Sequence, residues 1–204
     1  MAITVKVLNM KWVLVSFAAW VMFFGQNVTS QDIKPRYFLL SVNYLVPDYP
    51  EPVASRAAFA SHIPESTQIP LHVDALGYYR AYGNLTLMGA VMQIDIDRYS
   101  AYGESLQIEC YQPSFSVLHY LDGQIGAGLF ARGDIGPAFM RLYSGDRGTE
   151  KTNFGWGYLL GAGAALGIRS TILLASINYA HKSFQGASYN FYSMGLGIML
   201  KKSP

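Results

Sequence analysis

The sequence predicts a membrane-spanning antiparallel β-barrel, on three observations. Eight segments of 10 to 16 residues alternate apolar and polar side chains with period two. These are longer than the usual strand of about 5–6 residues. An N-terminal basic and then apolar stretch reads as an export signal. The rest of the chain has no apolar run of about 18 residues, so nothing in it predicts a membrane helix. The expected class is all-β: an eight-stranded antiparallel up-and-down transmembrane β-barrel behind a signal peptide.

At the N-terminus, Lys6 and Lys11 lead into the apolar run 12–24. Thirteen residues at about 1.5 Å each span roughly 20 Å, short of the ~30 Å hydrocarbon core. Gly25 to Ser30 is a polar tail with Val28 and Ser30 at the −3 and −1 positions, which predicts cleavage after Ser30. Residues 1–30 are thus expected to be a signal peptide and 31–204 the barrel domain. No Cys follows the cleavage point to carry a lipid anchor.

Segment one, Arg36 to Val46, sets Phe38, Leu40, Val42 and Tyr44 against Ser41 and Asn43. Pro47 ends it, and a proline-bearing loop runs to Pro70. Segment two, Leu71 to Tyr82, opposes Leu71, Val73, Ala75 and Tyr79 to His72, Asp74 and Arg80. Gly83-Asn84 is a turn signal. Segment three, Leu85 to Tyr99, opposes Met88, Ala90, Met92, Ile94 and Ile96 to Gln93, Asp95 and Asp97.

Segment four, Ser105 to Tyr120, changes parity at Pro113, between the Leu106, Ile108, Cys110 set and Phe115, Val117; a bulge there would reconcile the halves. Segment five, Gly128 to Tyr143, carries Arg132 and Asp134 opposite Leu129, Ala131, Ile135 and Phe139. Segment six, Phe154 to Leu166, alternates large apolar residues and alanines with Gly155, Gly157, Gly161 and Gly163. Segment seven, Thr171 to Lys182, opposes Leu173, Ala175, Ile177 and Tyr179 to Ser176, Asn178 and Lys182. Segment eight, Tyr189 to Leu200, puts Ser193, Gly195 and Gly197 opposite Tyr192, Met194, Leu196, Ile198 and Leu200.

Lipid offers no partner to backbone polar groups, so a sheet crosses only when closed. Aromatics near segment ends, Tyr44, Tyr79, Tyr99, Tyr143, Phe154, Trp156, Tyr179, Tyr189 and Tyr192, suit interfacial girdles. Long or polar joins follow segments one, five and seven, and tight turns follow two, four and six; the short join after segment three is the exception. With both termini periplasmic, the longer joins are extracellular. The opposing fold is a secreted β-sandwich or lipocalin-like barrel, which would put the apolar face inside.

The stretches Gly126 to Gly136 and Gly155 to Gly163, with the hairpin from Ile177-Asn178-Tyr179 through Tyr189-Asn190-Phe191 to Gly195-Leu196-Gly197, resemble the small bacterial outer-membrane β-barrel (porin-like) superfamily. That resemblance implies a bacterial outer-membrane location, with outer-membrane lipid and the barrel-assembly machinery as partners. Many such barrels end in an aromatic residue, whereas this chain ends Leu200-Lys201-Lys202-Ser203-Pro204.

His72, Asp74, Arg80, Asp95, Asp97, Glu109, Arg132 and Asp134 are expected to face the lumen. In a bore this narrow they would pair and plug it; the alternative is a narrow porin for small solutes. His181-Lys182-Ser183 resembles the His-x-Ser signature of the lipid A deacylases, with His181 as base and Ser183 as nucleophile. That pattern also wants a neighbouring carboxylate, and no Asp or Glu follows Glu150; Asn190 is the only substitute on segment eight. Phe184 stands where the signature has Asn.

No metal site or cofactor is expected: Asp95 and Asp97 are too few for calcium, and no Gly-x-Ser-x-Gly, P-loop or His-Glu-x-x-His occurs. Cys110 excludes an intramolecular disulfide framework and reads as a small buried hydrophobe. With a net charge of +2, nucleic acid is not an expected partner. The expected role is structural or surface-interacting and non-catalytic, with an extracellular ligand reached through loops 47–70 and 144–153.

Overall fold

The computed structural model describes residues 34–51, 53–101, 104–144, 148–151, 154–184 and 187–202. The expected signal peptide and its cleavage point lie outside these. Strands are β1 (Arg36–Asp48), β2 (Thr67–Tyr82), β3 (Thr86–Ala101), β4 (Glu104–Tyr120), β5 (Ala127–Ser144), β6 (Gly148–Lys151), β7 (Gly155–Ile168), β8 (Thr171–Phe184) and β9 (Ala187–Lys202). Among the described residues one helix, α1 (Val53–His62), lies between β1 and β2.

Each long strand pairs antiparallel with its chain neighbours, β4 pairs β5, and β1 pairs β9 from Arg36↔Lys202 to Asp48↔Asn190. This closes an eight-stranded up-and-down barrel with no free edge, the architecture of outer-membrane barrels. The short β6 continues the line of β7 along β5. Arg141 pairs Lys151 and Ala138 pairs Gly155, so one extra residue lies between β6 and β7. Sixteen residues of strand reach about 50 Å; tilted by about 40° they rise roughly 40 Å, more than the ~25 Å apolar band of such barrels.

The large apolar residues face out. Along β1, Phe38, Leu40, Val42, Tyr44 and Val46 are exposed while Tyr37, Leu39, Ser41, Asn43 and Leu45 are buried. The same holds for Leu160 on β7, Ile177 on β8, and Met194, Leu196, Ile198 and Leu200 on β9. In water this would be an unstable surface; in lipid it is the required one.

Inside, three layers are stacked. At the loop end an apolar cluster includes Leu45, Tyr99, Ile108, Met140, Tyr189 and Phe191, with Ala57 and Ala60 of α1 packed on it. At the turn end a second includes Tyr37, Tyr79, Leu87, Leu118, Phe130 and Met199. The polar side chains lie between. Tyr79, Tyr99 and Tyr189, expected in the interfacial girdles, are instead lumen-filling, whereas Tyr44, Phe154, Trp156 and Tyr192 do face outward.

Three expectations need correction. The segment after Pro47 contains α1: Val53-Ala54-Ser55-Arg56-Ala57-Ala58-Phe59-Ala60 is rich in the best helix former. Its first turn is closed by Ala54 N–H to the Pro50 carbonyl at 3.0 Å, and Pro64 follows its end. On β2 a bulge at Ala75 shifts register between Asp74 and Leu76 against β3, with a matching shift against β1. Period-two parity therefore flips: Gly77 and Tyr79 turn inward and Arg80 lies half-buried on the outer face, not in the lumen.

On β4 no bulge occurs at Pro113. Register with β3 runs unbroken through Met92↔Pro113, and even-numbered residues from Ile108 to Tyr120 all face inward. Cys110 is thus lumenal and buried, and Glu109 faces out rather than in. Pro113, which lacks an N–H, lies beside Gly136 of β5, where a Cβ would come within 2.0 Å of the Pro113 carbonyl oxygen.

Candidate functional site

The middle layer is a hydrogen-bonded chain of charges crossing the lumen. Period-two alternation brings Asp74 and His72 inward from β2, Asp95 and Asp97 from β3, Arg132 and Asp134 from β5, and Lys182 from β8. Lys182 Nζ donates to Asp95 Oδ2 at 2.5 Å, and His72 Nδ1 meets Asp95 Oδ1 at 2.6 Å. His72 Nε2 faces Asp74 Oδ1 at 3.6 Å. Arg132 then holds Asp74 through two nitrogens at 2.6 and 2.8 Å, and its Nη2 lies 2.7 Å from Asp134.

Neutral groups complete the chain. Ser41 donates to Asp74 at 2.5 Å and Gln93 Nε2 to Asp134 at 2.6 Å. Asp97 stands apart, accepting from Tyr49 at 2.7 Å, Gln68 at 3.0 Å and Tyr99 at 2.9 Å. Tyr49 follows β1 outside the spanning segment; burial, with Asp97 beside it, raises its pKa, so the phenol remains a donor.

A proton on His72 makes three cations, His72, Arg132 and Lys182, against the three carboxylates Asp74, Asp95 and Asp134. Such charges are tolerated away from water only when paired in this way. The bidentate Arg132–Asp74 contact uses the fork geometry that Lys lacks. Chemically the array ties β2, β3, β5 and β8 together and fills the bore. Among the described residues no group of three or more His, Cys, Asp or Glu side chains is placed to hold a metal ion.

Of the eight residues expected in the lumen, His72, Asp74, Asp95, Asp97, Arg132 and Asp134 converge there, and Arg80 and Glu109 lie outside it. Lys182, Gln93, Gln112 and Ser41 belong to the polar layer without having been singled out as its members. The signal for Lys182 was present: it shares parity with Ser176 and Asn178.

His181 and Ser183 sit on the outer wall near the loop end, flanking the inward Lys182. His181 Nδ1 meets Asn190 Oδ1 at 2.6 Å, and Asn190 Nδ2 reaches Asp48 at 3.5 Å. The described hydrogen bonds join His181 to Asn190 and do not join it to Ser183.

No family model matches the chain, and no curated protein does. Solved structures similar in fold include Ail, the attachment invasion locus protein of Yersinia pestis, in complex with the heparin analogue sucrose octasulfate. It shows 10% identity and a TM-score of 0.49, covering 82% of this chain and 99% of Ail. Neisserial surface protein A shows 11% identity and 0.47, covering 82% and 97%. The outer membrane protein OprG of Pseudomonas aeruginosa shows 8% and 0.44, covering 87% and 100%. The likeness is one of barrel architecture, and no role is carried over from it.

Proposed function

We propose that the protein is a non-catalytic bacterial outer-membrane barrel with a closed lumen, exported with cleavage after Ser30. It serves as a rigid scaffold that presents its loop end to the outside. Outer-membrane lipid covers its apolar wall, the barrel-assembly machinery inserts it, and an extracellular ligand is met through loops 47–70 and 144–153. The observation that carries this is the filled bore: two apolar layers flank a paired charge layer, while α1 and the longest connection gather at one end.

The test is gel migration of outer-membrane fractions, boiled against unboiled, beside protease treatment of intact cells. A heat-dependent shift with cleavage confined to the loop end supports the reading. Recovery from the soluble periplasm without a shift overturns it. A narrow porin would need a continuous polar path, which neither apolar layer offers.

A second reading, a lipid A deacylase-like hydrolase, draws on the 2.6 Å bond that orients His181 through Asn190, with Ser183 on the same outer face. Against it, the described contacts give His181 no carboxylate partner. The expected result is unchanged lipid A by mass spectrometry, the same for wild type and Ser183→Ala; loss of an acyl chain only with wild type would establish the hydrolase.

A further inference from the structure

We propose that the outer wall at the turn end binds the phosphate of an anionic phospholipid headgroup, through Arg36 of β1 and Lys202 of β9 with Arg169 of the β7–β8 turn beside them. The inference rests on the membrane reading above and holds for whichever leaflet the turns face.

Strand register builds the site. Arg36 and Lys202 are direct cross-strand partners, and both keep the outward parity that Phe38 and Leu200 share one step earlier. Side chains paired in this way stand about 5 Å apart, and like charges directly opposite destabilise a sheet. The turn brings Arg169 alongside, because Lys201 N–H donates to the Ser170 carbonyl at 2.7 Å. Arg36, Arg169 and Lys202 are all exposed, and among the described residues none has a side-chain partner. Arg80, the other neighbour of Arg36, already engages the Tyr78 hydroxyl at 3.4 Å, and the site does not draw on it.

Depth selects the ligand. The next outward row toward the middle of the barrel is Leu200, Phe38 and Tyr78, with the two rings in edge contact at 5.5 Å. Phe38 is 44% and Leu200 52% exposed, so this row belongs to the apolar wall. Two residues of strand rise about 7 Å, which sets the cations one step beyond that wall, at the level of the headgroups.

Charge selects it further. Among the described residues Asp122 is the only carboxylate in the turns, and its turn joins β4 to β5 on the opposite wall. No described carboxylate therefore offsets the Arg36–Lys202 pair. A phosphate diester does, accepting from the guanidinium fork and from the ammonium while its acyl chains lie along Phe38 and Leu200. Basic side chains at this depth are drawn to anionic lipid.

The barrel, folded in zwitterionic detergent and checked by its heat-dependent gel shift, is mixed with equal amounts of dioleoylphosphatidylglycerol and dioleoylphosphatidylcholine. Native mass spectrometry reads the lipid retained. Phosphatidylglycerol is expected to exceed phosphatidylcholine about tenfold, and Arg36→Gln with Lys202→Gln to cut that ratio to about threefold or less. Arg98→Gln, an exposed cation at the loop end, should leave the ratio unchanged. Equal retention of the two lipids, or a ratio that survives the double variant, would overturn the proposal.

Urea unfolding in vesicles checks the cause. In phosphatidylcholine alone, Lys202→Gln removes a repulsion and should be at least as stable as wild type. Replacing part of that lipid with phosphatidylglycerol should raise the wild-type midpoint more than the variant's, and adding inorganic phosphate instead should not. An equal rise in both proteins, or the same rise with inorganic phosphate, counts against a lipid site. A barrel that shows the gel shift and fails these tests loses only this inference, whereas one without the shift loses the membrane reading itself.

Discussion

At the scale of single residues, the lumen charges stand or fall in pairs. Lys182 is fully buried and bonded to Asp95. Lys182→Met therefore leaves a carboxylate facing the aromatic layer of Tyr189 and Phe191, while the Asp95–His72 contact alone remains. Removing one partner of a buried pair costs about 3–5 kcal/mol, and replacing both with apolar residues of similar size is close to neutral. Urea unfolding in lipid vesicles should show Lys182→Met destabilised by about that amount and Lys182→Met with Asp95→Leu recovering most of it. A double variant as unstable as the single would mean that His72 and Lys182 do not share Asp95 as described.

At the scale of elements, what could be read from sequence depended on whether period two stayed unbroken. It does so along β1, β3, β5, β7, β8 and β9, and along β2 as far as Asp74, and there the inward and outward faces follow directly from alternation; the six lumen charges on β2, β3 and β5 follow with them. One bulged residue, Ala75, is enough to send Arg80 out and Tyr79 in, and no residue type marks that bulge. On β4 the proline suggests a bulge that is absent, because Pro113 faces outward and Gly136 beside its backbone makes room. Alternation along β4 is ambiguous for a physical reason. Ile108, Cys110, Leu118 and Tyr120 belong to the lumen's apolar end layers, so hydrophobicity no longer distinguishes inside from outside.

Gly136 supplies a direct check on that account of β4. Gly136→Val places a Cβ against the Pro113 backbone, which cannot rotate aside as a side chain would. The variant should be destabilised by about 3 kcal/mol or more and lose the heat-dependent gel shift. Gly133→Ala, three residues away with open space at its Cβ, should behave as wild type. α1 is the opposite case, an element on which barrel closure does not depend. Its Ala57 and Ala60 seal the loop-end cluster without contributing to strand pairing. Ala57→Glu should expose residues 53–62 to limited proteolysis while the unboiled band keeps its mobility.

At the scale of the whole molecule, the layers act in series, and this separates a plugged scaffold from a gated pore. In a pore closed by its charge network, breaking the network opens a path. Here the polar layer is bounded on both sides by apolar clusters that share no residue, so a hydrated path through the middle would still end against Tyr99, Tyr189 and Phe191 above and Tyr79, Tyr120 and Phe130 below. Ions crossing either layer would lose their hydration without compensation. Planar-bilayer recordings should therefore be silent for wild type and remain silent for Arg132→Ala with Asp74→Ala, even though that variant unfolds at lower urea. Conductance in the double variant alone would mean that the charges are the gate and that the apolar layers yield once they are gone. Conductance in wild type would return the molecule to the porin reading and require an open path through both apolar layers.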